Sequence, residues 1–301
     1  MTPADEDGGS TALAFPGQGI DRAAVIAALD AAADHPLAAV LGDVLGAVGA
    51  RHWAEADFED TRVTQPAVYV ASLLSARAVL APEQVRFVLG HSLGEISAAA
   101  FAGVIGDEDG LRLVETRAAL CHRVHAARPG AMAAVMGLEL TEVEWLRRRT
   151  VAATGQVLDV AALNGRRQVV VSGDLEAVER MTSAVAAAEG LVARLPIGGC
   201  YHSPLLAGAA DELAGALAAL PLGDAAVPVL STTDLVPRRA AADIAASLVR
   251  ALVLPVRWQE SLGWLRDAGV AWVWDSGPGE TLQKLARRGG EVRFRAVVEA
   301  R

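Results

Sequence analysis

The sequence is poor in lysine and cysteine and has no long apolar run. Lys284 is the single lysine among 27 basic residues, which we interpret as a coding bias toward arginine rather than a functional signal. The two cysteines, Cys121 and Cys200, do not suggest a disulfide framework, and a reducing, cytoplasmic location is expected. No uninterrupted apolar run reaches the roughly 18 residues that a membrane helix needs, so we expect no membrane partner.

Basic residues are outnumbered by acidic ones, and the chain begins without a basic leader. The net charge of −9 and the isoelectric point near 5.2 argue against a nucleic-acid partner. The first ten residues read MTPADEDGGS, and we expect a disordered tail over 1–10 rather than a signal peptide. A chain of 301 residues can bury a sizeable core in one or two domains.

Apolar strands alternate with alanine-rich helices over most of the chain, which predicts a parallel sheet covered by helices. The predicted strands cover 11–15, 85–89, 227–230 and 272–274, and the predicted helices cover 22–45, 64–80, 95–104 and 111–126. A different order occupies the middle of the chain: strand 131–138, helix 141–151, strands 157–164 and 168–172, helix 174–189 (with Asp174 as its N-cap) and strand 191–197. This β-α-β-β-α-β order is the ferredoxin-like pattern.

A serine lies on the turn between the second predicted strand and the helix that follows it. Gly90-His91-Ser92-Leu93-Gly94 has the Gly-x-Ser-x-Gly pattern of a nucleophile elbow, although a glycine-rich turn with an incidental serine has the same letters. The N-terminus of the next helix would favour a developing oxyanion. The predicted fold is therefore α/β. A large α/β-hydrolase-like subdomain with a parallel sheet core covers 11–129 and 199–301, and an inserted ferredoxin-like small subdomain covers 130–198.

A serine nucleophile needs a base, and the chain has six histidines. His202 lies in a glycine-rich stretch where the chain leaves the inserted subdomain, and clefts at such junctions commonly hold sites. We therefore select His202 as the base. His91 adjoins the serine on a sharp turn and is interpreted as structural or as an outer residue of the site. Surface positions are expected for the remaining four histidines, His35, His52, His122 and His125.

An ordered set of motifs resembles a known family. The motifs are Phe15-Pro16-Gly17-Gln18-Gly19, Thr64-Gln65-Pro66-Ala67, the elbow with Glu95, Arg117, Gly130-Ala131-Met132, Asn164, Tyr201-His202-Ser203, Pro255-Val256-Arg257-Trp258 and Gly277-Pro278-Gly279-x-x-Leu282. Their order is similar to that of the malonyl-CoA:acyl-carrier-protein transacylase family, which includes the acyltransferase domains of polyketide synthases. The resemblance extends over roughly 11–290, which is nearly the whole chain.

The resemblance implies the catalytic groups. Ser92 would be the nucleophile that takes an acyl group from a thioester, with His202 as its general base. Backbone N–H groups of Gln18 and Leu93 would bind the oxyanion. No metal and no permanently bound cofactor is expected.

The resemblance also implies how the base is oriented and how the substrate is held. A backbone carbonyl around Val256 and Arg257 would orient the imidazole, a task that an aspartate performs in a triad. Arg117 would pair with the free carboxylate of a malonyl-type substrate, because a guanidinium can hold a carboxylate by two hydrogen bonds. The further residues expected to bind substrate are His91, Gln65, Cys121, Tyr201 and Asn164.

The implied reaction is a ping-pong acyl transfer in fatty-acid or polyketide biosynthesis. A coenzyme A thioester would acylate the serine, and the phosphopantetheine thiol of an acyl carrier protein would then take the acyl group. A bulky aromatic at Tyr201 favours malonyl as the cargo. A monomer is expected, and the anionic partners would dock on local arginines, with Arg147–Arg149, Arg166-Arg167 and Arg287-Arg288 as candidates.

Two alternatives remain open on the sequence. The residues after Arg117, Ala118 to His122, depart from the family pattern, so the cargo could be an aminoacyl or other non-carboxylated acyl group moved between carrier proteins. The elbow also occurs in serine hydrolases of the α/β-hydrolase type, in which Asp174 would be the acid by chain order.

Overall fold

The computed structural model describes residues 10–19, 21–286 and 291–297. Ser10 begins the first strand, and the rest of the tail predicted over 1–10 lies outside the described residues, as do Arg287 and Arg288. The strands are β1 (Ser10–Phe15), β2 (Phe87–Gly90), β3 (Gly130–Met136), β4 (Leu158–Gly165), β5 (Gln168–Asp174), β6 (Leu191–Arg194), β7 (Val229–Leu230), β8 (Pro237–Arg238), β9 (Val270–Asp275) and β10 (Arg293–Ala296). The helices are α1 (Arg22–Ala31), α2 (Pro36–Ala47), α3 (Thr61–Arg77), α4 (Gly94–Phe101), α5 (Asp107–Ala127), α6 (Leu140–Thr154), α7 (Leu175–Ala187), α8 (Ala207–Ala218), α9 (Ala241–Ala251), α10 (Trp258–Asp267) and α11 (Thr281–Ala286).

The larger sheet has the parallel core that the sequence predicts. Within the described residues its strand order is β10-β9-β1-β2-β7-β8, and every neighbouring pair is parallel except β7 with β8. Helices cover both faces of such a sheet, so its central strands read as continuous apolar runs. Ala12 to Phe15 of β1 are fully buried, as are Val88 and Leu89 of β2. The carboxyl ends of β1 and β2 lie side by side, because Phe15 pairs with Gly90.

The helix predicted over 22–45 is wrong as a single element. The chain forms α1 and α2 there, because Pro36 begins a new helix at the position where proline is best tolerated. The side chain of His35 caps α2 by accepting a hydrogen bond from the N–H of Leu37. Asp21 caps α1 in the same way, through the N–H groups of Ala23 and Ala24.

The smaller sheet confirms the ferredoxin-like pattern. Its strands are antiparallel in the order β4-β5-β3-β6 within the described residues, and α6 and α7 pack on a separate apolar core that includes Val135, Val143 and Val171. Asp174 stands at the N-cap position of α7, as predicted, but its side chain does not cap the helix. The carboxylate pairs with Arg128 instead.

Backbone hydrogen bonds join the smaller sheet to the segment between α9 and α10. The segment after α9 runs beside β4, where the N–H of Leu163 donates to the carbonyl of Val256 and the N–H of Val256 donates to the carbonyl of Ala161. This contact fixes β4 of the smaller sheet in place beside that segment. The domain boundaries at 129/130 and 198/199 stay predictions.

Candidate active site

Ser92 lies on a tight strand-to-helix turn that only glycine neighbours allow. Its backbone has φ of 56°, in the left-handed region that non-glycine residues seldom adopt. A Cβ on Gly90 would lie 1.8 Å from the carbonyl carbon of Gly94, and a Cβ on Gly94 would lie 2.2 Å from the carbonyl oxygen of Phe15. Both distances are far inside van der Waals contact, so the pattern around the serine is a packing requirement.

Replacing Gly94 with alanine is expected to destabilise the fold by about 3 kcal/mol, because the backbone of Phe15 has to move to admit the methyl group. Gly215→Ala is the matched control, since no described residue lies within 4 Å of a Cβ at this helical position. That change should be neutral or stabilise by up to about 1 kcal/mol. Urea unfolding measures both, and equal stabilities for the two variants would contradict the packing argument.

A buried carboxylate anchors the helix that leaves the turn. The Glu95 side chain accepts hydrogen bonds of 2.7 Å from both the N–H and the hydroxyl of Thr232. Burial raises the pKa of Glu95 to about 7. The Thr232 carbonyl in turn accepts from the N–H of Arg257. These contacts connect the elbow to the segment that follows α9.

Ser92, His202 and a backbone carbonyl form a hydrogen-bonded chain. The Ser92 Oγ lies 2.7 Å from the His202 Nε2, and the His202 Nδ1 lies 2.9 Å from the carbonyl oxygen of Leu254. A carbonyl only accepts, so Nδ1 carries the proton, and the free Nε2 accepts from the serine hydroxyl. His202 also has a positive φ, 55°, which aims the ring into the cleft from the junction between the two sheets.

The predicted orienting carbonyls of Val256 and Arg257 are therefore wrong. The Val256 carbonyl accepts from Leu163 of β4, and the Arg257 carbonyl accepts from the hydroxyl and N–H of Ser261 in α10. Both carbonyls therefore already accept hydrogen bonds from β4 or α10. The carbonyl of Leu254 is the one that faces the imidazole.

The environment keeps the imidazole neutral. Burial, and next the positive charge of Arg117, lower the pKa of His202 to about 3, although the bond to the Leu254 carbonyl acts in the opposite direction. At neutral pH the ring is unprotonated at Nε2. It is therefore in the form that can take a proton from a hydroxyl or a thiol.

Arg117 projects from α5 to the serine. The guanidinium Nη2 donates to Ser92 Oγ at 3.3 Å, while Nη1 donates to Oε1 of Gln65. Arg117 is only 5% exposed and lies over the Tyr201 ring, 5.9 Å from its centroid. A buried positive charge held next to a serine hydroxyl is suited to binding an anionic group.

Two residues expected to touch substrate lie one layer behind the cavity. Gln65 is fully buried on α3, and Cys121 is 4% exposed on α5. Neither is among the described residues that line the cavity around Ser92. Gln65 instead holds Arg117, and burial raises the pKa of the Cys121 thiol, which makes that thiol a packing group.

The cavity beside Ser92 has a volume of about 730 Å³ and lies between the two sheets. Its lining includes the other predicted residues, namely Gln18, His91, Leu93, Asn164 and Tyr201. Apolar side chains from the small sheet and the 195–197 segment form the rest of the wall, including Met132, Ala134, Val170, Leu195 and Ile197. Such a space is several times larger than a three-carbon acyl group requires.

His91 and Asn164 bridge the cleft. The His91 Nε2 lies 2.9 Å from Oδ1 of Asn164, so the elbow contacts β4 directly. The ring also packs edge-on against Trp258, with the ring centroids 5.4 Å apart. Leu93 is the N-cap of α4, and the N–H groups of Gly94 and Glu95 that follow it donate to the carbonyls of His91 and Ser92.

A comparison of the sequence with models of protein families identifies the family of this chain. The acyl transferase domain model matches residues 20–295. The chain belongs to that family. It is an acyltransferase, with the α/β fold and second antiparallel sheet of its relatives.

Curated relatives and solved structures agree with this assignment. The chain is 35% identical over 288 residues, 92% of each chain, to the malonyl CoA-acyl carrier protein transacylase of Escherichia coli K12. It is similar to the structure of that transacylase from Coxiella burnetii, with a TM-score of 0.85, 30% identity and coverage of 96% and 94%. It is also similar to a malonyl-transacylase solved in complex with its type II PKS acyl-carrier protein. The TM-score is 0.85 and the identity 31%, and the match covers 97% of this chain and 98% of the other.

The geometry disfavours the hydrolase alternative, in which Asp174 would orient the base. Asp174 pairs with Arg128 at 2.6 Å and accepts from the N–H of Val157, while the Nδ1 of His202 is bonded to Leu254. The described residues show no group of three or more side chains suited to a metal ion. None of the described helices is long and apolar enough to cross a membrane.

Three contacts of the candidate site were not predicted from the sequence. The Leu254 carbonyl has no side-chain signal, and the pairing of Glu95 with Thr232 joins residues 137 positions apart. Thr61, which bonds to Gln65, did carry a signal, because the two residues are one helical turn apart on α3.

Proposed function

We propose that this acyltransferase moves malonyl from coenzyme A to the phosphopantetheine thiol of an acyl carrier protein, for fatty-acid or polyketide synthesis. The observation that carries the proposal is the buried Arg117 guanidinium 3.3 Å from the oxygen of Ser92, which is itself bonded to a neutral imidazole. The relatives named as malonyl transacylases support the choice of cargo.

In the first half-reaction, His202 Nε2 takes the hydroxyl proton as Ser92 Oγ attacks the thioester carbonyl. The tetrahedral oxyanion accepts hydrogen bonds from the backbone N–H groups of Gln18 and Leu93. The intermediate collapses as the carbon–sulfur bond breaks, and the imidazolium gives its proton to the departing coenzyme A thiolate. An acyl ester on Ser92 remains.

The second half-reaction runs the same steps with the carrier. His202 takes the proton of the phosphopantetheine thiol, and the sulfur attacks the acyl ester. The carbon–oxygen bond to Ser92 then breaks, and the imidazolium returns the proton to the serine. The Leu254 carbonyl stabilises the imidazolium in both halves, because it accepts from Nδ1.

Arg117 gives the preference for a carboxylated acyl group. A malonyl carboxylate placed on the guanidinium fixes the thioester carbonyl beside Ser92 and compensates the buried charge. It also removes part of the positive potential that lowers the pKa of His202, so the correct cargo makes its own base stronger. A non-carboxylated cargo would leave the 5% exposed guanidinium unpaired, which disfavours that alternative.

The apolar part of the cavity would receive the pantetheine arm, which both thioester partners share. Coenzyme A and the carrier protein are anionic, and Arg166 and Arg167 on the turn between β4 and β5 are exposed beside the cavity-lining Gln168. We expect these arginines to contribute to docking. A monomeric state and the absence of a resident cofactor stay predictions.

The experiment is transfer of malonyl from malonyl-CoA to a type II acyl carrier protein, followed by intact-mass measurement of the carrier. We expect malonyl on the holo carrier and none on the apo carrier, which lacks the thiol. Acylation of the holo carrier by acetyl-CoA but not by malonyl-CoA would overturn the proposed cargo.

A further inference from the structure

The hydroxyl of Thr61 is the meeting point of three segments of the site. It accepts from the Tyr201 hydroxyl at 2.7 Å and from the Gln65 Nε2 at 2.6 Å, and it donates to Oε1 of Gln18 at 3.1 Å. A threonine hydroxyl has one donor and two acceptor positions, so all of its hydrogen-bonding capacity is used. Thr61 is 7% exposed, and water contributes little to this site.

This hydroxyl determines which way the Gln65 amide faces. Because Nε2 donates to Thr61, Oε1 is directed at Arg117, whose Nη1 donates to it. Rotation of the amide by half a turn would point an NH₂ group at the guanidinium, and two donors repel. Without the Thr61 hydroxyl, the Gln65 NH₂ group loses its acceptor, and only the contact with Arg117 still favours the productive orientation.

The same contacts tie Arg117 to the residue before the base. Tyr201 donates to Thr61 and also lies under the Arg117 guanidinium, with 5.9 Å between the guanidinium carbon and the ring centroid. The guanidinium is thus held by Gln65 on one side and by the Tyr201 ring on another. Thr61 bonds to both of these supports.

We propose that Thr61 is a positioning residue that sets the selectivity for carboxylated acyl groups, acting through Gln65 on Arg117. It touches neither the thioester nor the reacting atoms. Its hydroxyl keeps the guanidinium in the register that a substrate carboxylate needs. The inference rests on the proposed function, since it takes malonyl as the cargo that Arg117 reads.

The test compares Thr61→Val, which keeps the shape and removes the hydroxyl, with Thr61→Ser, which keeps the hydroxyl. Acylation rates are measured with malonyl-CoA and acetyl-CoA. Loss of a buried hydrogen bond next to a charged group predicts that Thr61→Val lowers the malonyl rate about 10-fold and the acetyl rate less than about 3-fold. Thr61→Ser should retain the wild-type ratio of the two rates. An unchanged ratio in Thr61→Val, or a Thr61→Ser variant as unselective as Thr61→Val, would overturn the inference.

A double-mutant cycle shows whether Thr61 acts through Arg117. In an Arg117→Ala background, Thr61→Val should change the malonyl rate by less than about 2-fold, because the group it positions is gone. A full 10-fold effect in that background would assign Thr61 a general structural role and overturn the inference. Thr61→Ala replaces Thr61→Val in both comparisons if the valine variant does not fold. A wild-type protein that malonyl-CoA does not acylate would instead refute the proposed function, and the inference with it.

Discussion

Replacing His202 with alanine is expected to lower the rate of Ser92 acylation by about 1000-fold, the usual range for a general base. The hydroxyl proton would then have to pass to water, and the serine would lose the 2.7 Å bond that directs its lone pair. The measurement is single-turnover formation of the acyl-enzyme from malonyl-CoA.

His52→Ala is the matched control for that variant, because His52 is exposed and does not line the cavity. Its acylation rate should equal that of the wild type. A His202→Ala protein within about 10-fold of the wild-type rate would show that another group serves as the base, against the usual contribution of this step.

Replacing Arg117 with alanine is expected to lower malonyl acylation by about 100-fold, since it removes one partner of a buried charge pair. Acetyl acylation should change little or rise. Arg117 is the second-largest cause of the lowered pKa of His202, after burial, and its loss makes the imidazole a stronger base. The measurement is kcat/KM for both thioesters.

Arg112→Ala provides the control on the same helix, because Arg112 is 45% exposed and pairs with Glu115. Both of its rates should match the wild type. Equal losses of malonyl and acetyl transfer in Arg117→Ala would mean that Arg117 supports the fold of the site and does not read the carboxylate.

The parts of the fold that local pattern determines were predictable from the sequence. The β-α-β-β-α-β order and the parallel strands around the elbow follow from the spacing of apolar residues and glycines. The split of 22–45 into α1 and α2 was missed because alanine spacing continues across the break, although Pro36 marks it.

The sequence predicted that the side chains of Ser92, His202 and Arg117 share one site, and the structure brings them together. Leu254 orients the imidazole with its backbone, and a carbonyl has the same chemistry at every position of a chain. The pairing of Val256 with β4 and the first turn of α10 occupy the neighbouring carbonyls, and the pairing with β4 joins distant segments. The resemblance implied that Gln65 and Cys121 bind substrate, but a sequence does not show how deep a side chain lies behind a cavity wall.

The central claim is that Ser92 carries a malonyl ester during turnover. Its most direct test is intact-mass measurement of the wild-type protein and of Ser92→Ala after incubation with malonyl-CoA, with peptide mapping of the adduct. We expect a malonyl adduct on the peptide that contains Ser92 in the wild type and no adduct in the variant. An adduct of equal extent in Ser92→Ala, or one that maps to another residue in the wild type, would contradict the account.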